Sequence, residues 1–389
     1  MGTVRVFAHR SVWGLPIAVW LAIAAACVAL VGAVWDVSWH RTLGRDTFWS
    51  PPHLLLYAGV SGGLLAALVG LGAGGSAGPA WRLGRPAPPL GYALALVGNA
   101  GVVLTAPVDD LWHRVYGRDV DIWSAPHLLA LVASSAATIG WITVIQPWAA
   151  RATGRQRLVC RAVYSYFLAL LLYTAWFGLN WYHMVAATRD TVTYPSLVGL
   201  LLLPTLVAAS LTHRRGWPAT TAALAFMTLA AMPVVGFRLL GWVAPAWPPL
   251  LVVPALALDW LTRGKPDRPA GPAHLAGLGL AFAVLFLGVE WARVALQPAA
   301  TPLVGARLES RVLGPYLVAA AAHPWTPPSI ALALPQVLAA SLGGAAMGGL
   351  LARAWVRARG EATSALVPAG GGTLWSRVLA WPRAPRANG

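Results

Sequence analysis

Residues 36–53 read DVSWHRTLGRDTFWSPPH, and residues 109–127 read DDLWHRVYGRDVDIWSAPH. Each stretch opens on an Asp with a His four residues later. Each then carries Gly-Arg-Asp and Trp-Ser, and closes on a Pro-His at the start of a long apolar run. Asp36, His40 and His53 therefore correspond to Asp109, His113 and His127. A third, degraded copy, NWYHMVAATRDTVTYPSL from Asn180 to Leu197, keeps His183 and Arg189-Asp190 but has Leu197 where the last His stands in the others.

The surroundings decide the fold class. The chain has 389 residues, 58% hydrophobic and only 10% charged, with mean hydropathy +0.65. Such a balance belongs to a polytopic helical membrane protein. The net charge of +16 excludes little by itself, because loops on the cytoplasmic side of a membrane collect Lys and Arg. No basic helix face or nucleic-acid motif accompanies it, so nucleic acid is not an expected partner. Cys27 and Cys160 lie far apart, one in an apolar run and one in a basic stretch. Neither a structural disulfide nor a thiolate metal site is expected from them.

A spanning helix needs about 20 mostly apolar residues. The sequence offers ten, at 12–35, 53–75, 89–108, 127–148, 161–183, 195–212, 219–238, 242–262, 273–296 and 329–352. The expected fold is all-α, with the first six spans forming three repeated helical hairpins. Residues 1–212 carry the repeat and 213–359 add further spans. The Gly-, Pro- and Arg-rich 360–389 is expected to be a disordered cytoplasmic tail. With ten crossings both termini share a side, and 19 of the 28 basic residues fall on it. The positive-inside rule then makes the termini cytoplasmic and turns all three repeat loops outward from a bacterial-type inner membrane.

Within each copy, Asp and His four apart share a helix face one turn apart. The closing His sits at the start of the next helix, where prolines suit a helix start. Each loop would bring one carboxylate and two imidazoles together. That set is a partial shell for iron, zinc or copper with positions left open. Arg45-Asp46 and Arg118-Asp119 are read as ion pairs, or as carboxylates that orient a ligand imidazole. Trp39, Trp49, Trp112 and Trp123 fit an interfacial belt. Asn180, His183 and Asp190 could line a polar wall. Ionisable residues near a bilayer are costly, and two such sets at nearly equal spacing favour metal binding over solvation.

The spacing Asp-x3-His-x12-His, enclosing Arg45-Asp46-Thr47 and Pro51-Pro52-His53, resembles the first copper-site motif in the C subunit of particulate methane and ammonia monooxygenases. That subunit's second motif, Asn-x3-His-x13-His, has the spacing of Asp109, His113 and His127, with Asp109 standing where the family has Asn. The likeness covers roughly residues 12–212. It implies copper at the outer membrane boundary and oxidation of a small apolar or reduced-nitrogen substrate by O2. It also implies A-like and B-like membrane subunits in a trimeric assembly. The alternative is a metal-binding or scaffold subunit without catalysis. No residue is assigned a catalytic role beyond the ligands.

Overall fold

A computed structural model describes residues 11–43, 47–74, 90–116, 124–182, 189–213, 216–242, 244, 247–263, 270–296 and 323–365. Beyond a two-stranded turn, Ser11–Val12 paired with Leu15–Pro16, the described chain is helical. The protein is an all-α polytopic membrane protein. The helices are α1 (Ile17–Leu43), α2 (Pro51–Gly74), α3 (Leu90–Tyr116), α4 (Ala125–Arg151), α5 (Gly154–Tyr182), α6 (Thr193–Leu201), α7 (Leu203–Thr212), α8 (Pro218–Leu239), α9 (Val252–Thr262), α10 (Pro272–Leu296) and α11 (Pro327–Ala365). Among the described residues nine segments are long and apolar enough to cross a membrane; α6 and α7 together make one, and α9 is too short. Helix α11 runs on to Ala365, into the stretch expected to be disordered; residues 366–389 lie outside the described ones.

Two of the three expected hairpins form. Helices α1 and α2 pack closely, as do α3 and α4. Both pairs approach through small residues. A Cβ added at Gly59 would sit 2.3 Å from the backbone nitrogen of Ala29, and one at Gly98 would sit 2.3 Å from that of Ala137. Small residues let helices touch backbone to backbone in lipid, where apolar side chains gain nothing by leaving the bilayer. Val31, Leu65, Val97, Leu104 and Val132 point away from the protein on these four helices, as faces turned to lipid do.

The third pair does not follow. Helix α5 makes little contact with α6 or α7, which pack instead on α11. A Cβ at Gly344 of α11 would lie 2.0 Å from the carbonyl oxygen of Gly199, so these helices too meet at their backbones. The α6–α7 span breaks at Leu202, just before Pro204, whose ring clashes with the carbonyl four residues back. This span is the most enclosed of the spans, with 83% of its apolar window buried. The repeat and the later spans share one core, which runs from Leu15 through Phe167 and Val207 to Phe282 and Trp355.

The eighth span is the other departure. A helix over 242–262 is expected; the helix begins only at Val252, after a non-helical stretch, 247–250. Pro248 and Pro249 lack the N–H groups a helix needs. The chain still runs between the two ends of the bundle. The Trp247 carbonyl accepts from Arg189 at one end, and Asp259 accepts from Ser210 and Thr220 at the other.

The hairpin contact is testable by side-chain size. Gly98→Leu should lower the melting temperature of the detergent-purified protein by several degrees, since overpacking typically costs about 1–3 kcal/mol. Gly288→Ala, where nothing lies within 4 Å, should be neutral or mildly stabilising. Equal effects would show that the α3–α4 approach does not constrain the fold.

Candidate metal centre

The second hairpin assembles its three residues. Asp109 and His113 lie on the last turns of α3, and His127 lies in the first turn of α4. The Nε2 of His127 is 3.2 Å from Oδ1 of Asp109, and the Nε2 of His113 is 3.5 Å from Oδ2. One ligand atom from each residue lies within 4.8 Å of the others. The two imidazole centroids are 5.8 Å apart. All three side chains are partly exposed, from 19% to 27%.

The set fits a cation. Oδ1 of Asp109 is buried and receives no hydrogen bond of ordinary geometry among the described residues, although His127 Nε2 faces it. A divalent ion bound by N and O at about 2.0–2.2 Å draws ligand atoms to separations close to those seen here. The neighbouring acid is excluded: Asp110 pairs with Arg114 at 2.6 Å. On ligand type the set suits zinc, copper or iron.

In the first hairpin, His53 Nε2 lies 3.2 Å from Oδ1 of Asp36. Its Nδ1 is 2.9 Å from the carbonyl oxygen of Thr47. A carbonyl only accepts, so Nδ1 carries the hydrogen. Nε2 of a neutral ring would then set a lone pair against a carboxylate oxygen. A cation between them, whether a metal ion or a second proton on the ring, removes that repulsion. Helix α1 continues through position 40, but the side chain of His40 lies outside the described ones. Around this pair, Tyr57 flanks His53, and Trp35 and Trp39 pack on Trp242. These tryptophans pack against protein, and Trp39 thus does more than line an interface.

Arg45, Asp46, Arg118, Asp119 and His183, with the side chain of Asn180, lie outside the described residues. The third copy's Arg189 and Asp190 are buried and serve the backbone. Oδ1 of Asp190 accepts from the Val192 and Thr193 N–H groups at the start of α6. Arg189 donates to the Trp247 carbonyl and lies over the Tyr194 ring. Asp190 is thus a helix-start acceptor.

Glu290, fully buried, accepts from the Leu250 N–H in the non-helical stretch before α9 and from Arg293. One feature escaped the sequence reading. Ser124 Oγ lies 3.0 Å from His127 Nδ1; the Trp-Ser pair repeated in both copies was the available signal.

No family model, curated protein or solved structure matches the chain.

Adjacent acids separate the readings of this site. Asp109→Ala should remove about one metal equivalent per chain, measured by elemental analysis of purified protein. Asp110→Ala should leave metal content unchanged, since its partner is Arg114. Equal metal loss in the two variants, or no loss in either, would dissolve the centre.

Proposed function

We propose that the chain is a membrane-embedded, copper-binding subunit of a monooxygenase-like complex. The observation that carries this reading is the second hairpin's triad, a carboxylate whose two oxygens each face one imidazole, with Oδ1 buried and without a hydrogen bond of ordinary geometry. Asp36, His40 and His53 would hold one ion, and Asp109, His113 and His127 another. Each hairpin brings its own ligands, so the two centres are separate. Copper is favoured by the resemblance of both motifs to the monooxygenase C subunit, with iron and zinc as the alternatives the ligands also suit. The bound metal would supply O2 activation toward a small apolar or reduced-nitrogen substrate. The residues themselves hold the ion at the membrane boundary, and the aromatic residues beside His53 limit water.

A-like and B-like partner subunits and a trimeric assembly belong to the same proposal. The 19-to-9 division of basic residues supports cytoplasmic termini and centres that face outward from a bacterial-type inner membrane.

Metal analysis with electron paramagnetic resonance on protein purified from its native membrane tests the reading. Two ions per chain with a copper signal are expected, and His40→Ala should lose one of them. Protein free of metal, with His40→Ala indistinguishable from wild type, would overturn it. Metal retained in a complex that consumes no O2 would establish the scaffold alternative instead.

Orientation is tested separately. Single cysteines at Thr42 and Tyr116 in a background with both Cys27→Ala and Cys160→Ala should react with an impermeant thiol reagent on intact cells, and one at Arg353 should not. The reverse pattern would invert the topology.

A further inference from the structure

The closing His of each repeat follows a Trp-Ser pair, and the serine stands three residues before it, at Ser50 and Ser124. Both serines sit at the N-cap of the helix that carries the His: the Leu54 N–H donates to the Ser50 carbonyl and the Leu128 N–H to the Ser124 carbonyl. An N-cap serine ordinarily turns its hydroxyl onto the free N–H groups of the first helical turn. Ser124 has cap backbone angles, φ −62° and ψ 152°, yet makes no such bond. Its Oγ lies 3.0 Å from Nδ1 of His127 instead. Ser50 has no capping bond either. Its Oγ is buried and has no partner among the described residues, because in the first copy the Thr47 carbonyl holds the ring nitrogen. That carbonyl also accepts from the Ser50 N–H at 2.9 Å, which closes a tight turn beneath the ring.

We propose that Ser124 is the positioning residue of the second metal centre, and that the first centre has replaced this side-chain contact with the Thr47 carbonyl, leaving Ser50 without that role. The inference rests on the metal reading above.

The chemistry differs between the two. A hydroxyl both donates and accepts. With the His127 hydrogen on Nε2, the Ser124 hydroxyl donates to Nδ1. With an ion on Nε2 the hydrogen moves to Nδ1, and Ser124 Oγ accepts it. The ring keeps its orientation in both tautomers, so the second centre can be loaded and emptied without moving His127. A carbonyl only accepts, so a neutral His53 carries its hydrogen on Nδ1 and presents a bare Nε2 to the ion. Such outer contacts fix the tautomer and angle of a ligand imidazole, and their loss typically costs about 10–100-fold in metal affinity.

The test uses the full chain in detergent, with Cu(II) titrated against a competing chelator. In a His40→Ala background, which leaves only the second centre, Ser124→Ala should weaken Cu(II) binding by about 10–100-fold. Ser124→Thr, which keeps the hydroxyl, should restore it. Pulsed electron paramagnetic resonance should show a changed remote ring-nitrogen coupling in Ser124→Ala and not in Ser124→Thr. In a His113→Ala background, Ser50→Ala should stay within about twofold of its parent, well short of the loss an orienting contact brings. Normal affinity and an unchanged nitrogen signal in Ser124→Ala would overturn the positioning role and leave the metal reading standing. Equal losses in Ser124→Ala and Ser50→Ala would overturn the asymmetry. If the His40→Ala parent binds no Cu(II) at all, the metal reading fails, and this inference with it.

Discussion

The backbone contact between α3 and α4 carries the second centre. Asp109 and His113 sit near the C-terminal end of one helix and His127 at the start of the next, and a loop alone does not fix their separation. The helices fix it. At Gly98 there is no room for a single added carbon against the Ala137 nitrogen and the Ala133 carbonyl oxygen. Gly140 meets the Ala95 nitrogen with the same closeness from the other helix. Contacts of this kind set the axes together along the span, and the ends follow. The α1–α2 pair repeats the device with Gly32 against Leu56 and Gly59 against Ala29. What looks from the triad like a loop motif is positioned by small residues along the helix pair.

The same constraint sorts the buried ionisable residues. In a membrane every backbone N–H and C=O must find a partner inside the protein. Prolines open α9, and the exposed groups are met by Glu290 at Leu250 and by Arg189 at Trp247. At the opposite end, α8 starts from Trp217 in the left-handed region, where no side-chain cap forms. Asp259 crosses from α9 to accept from the Ala219 and Thr220 N–H groups in its place. Arg189, Asp190, Asp259 and Glu290 thus repair helix ends and breaks. Asp36 instead faces His53, and Asp109 faces His113 and His127.

The spans were legible because lipid-facing and core-facing helices are both apolar, so hydropathy alone marks them. The hairpins around Asp36 and Asp109 were legible because their polar residues repeat. The third pair was not. Its partner is α11, reached through Gly199 and Gly344, and a contact between residues so distant in the chain leaves no local pattern. Leu197, in place of a His, was the one visible sign that the third copy had left the design. Pro248 and Pro249 did announce the broken eighth span, but its overall hydropathy masked them. The repeated Trp-Ser pair marked Ser124, and only the partner of its Oγ, His127 Nδ1, needed the structure.

Helix periodicity settles which acid of the second copy belongs to the centre. Asp109-Asp110 and His113-Arg114 are two doublets offset by four residues. Each member therefore meets its counterpart one turn on: Asp109 faces His113, and Asp110 pairs with Arg114. The two pairs lie about 100° apart around α3. One face turns toward His127 on α4, and the other carries an arginine that is 72% exposed. In the first copy the doublets read Asp36-Val37 and His40-Arg41, and Val37 is buried where Asp110 would stand. The exposed ion pair is thus a feature of one copy. The face with Asp and His at this spacing is common to both.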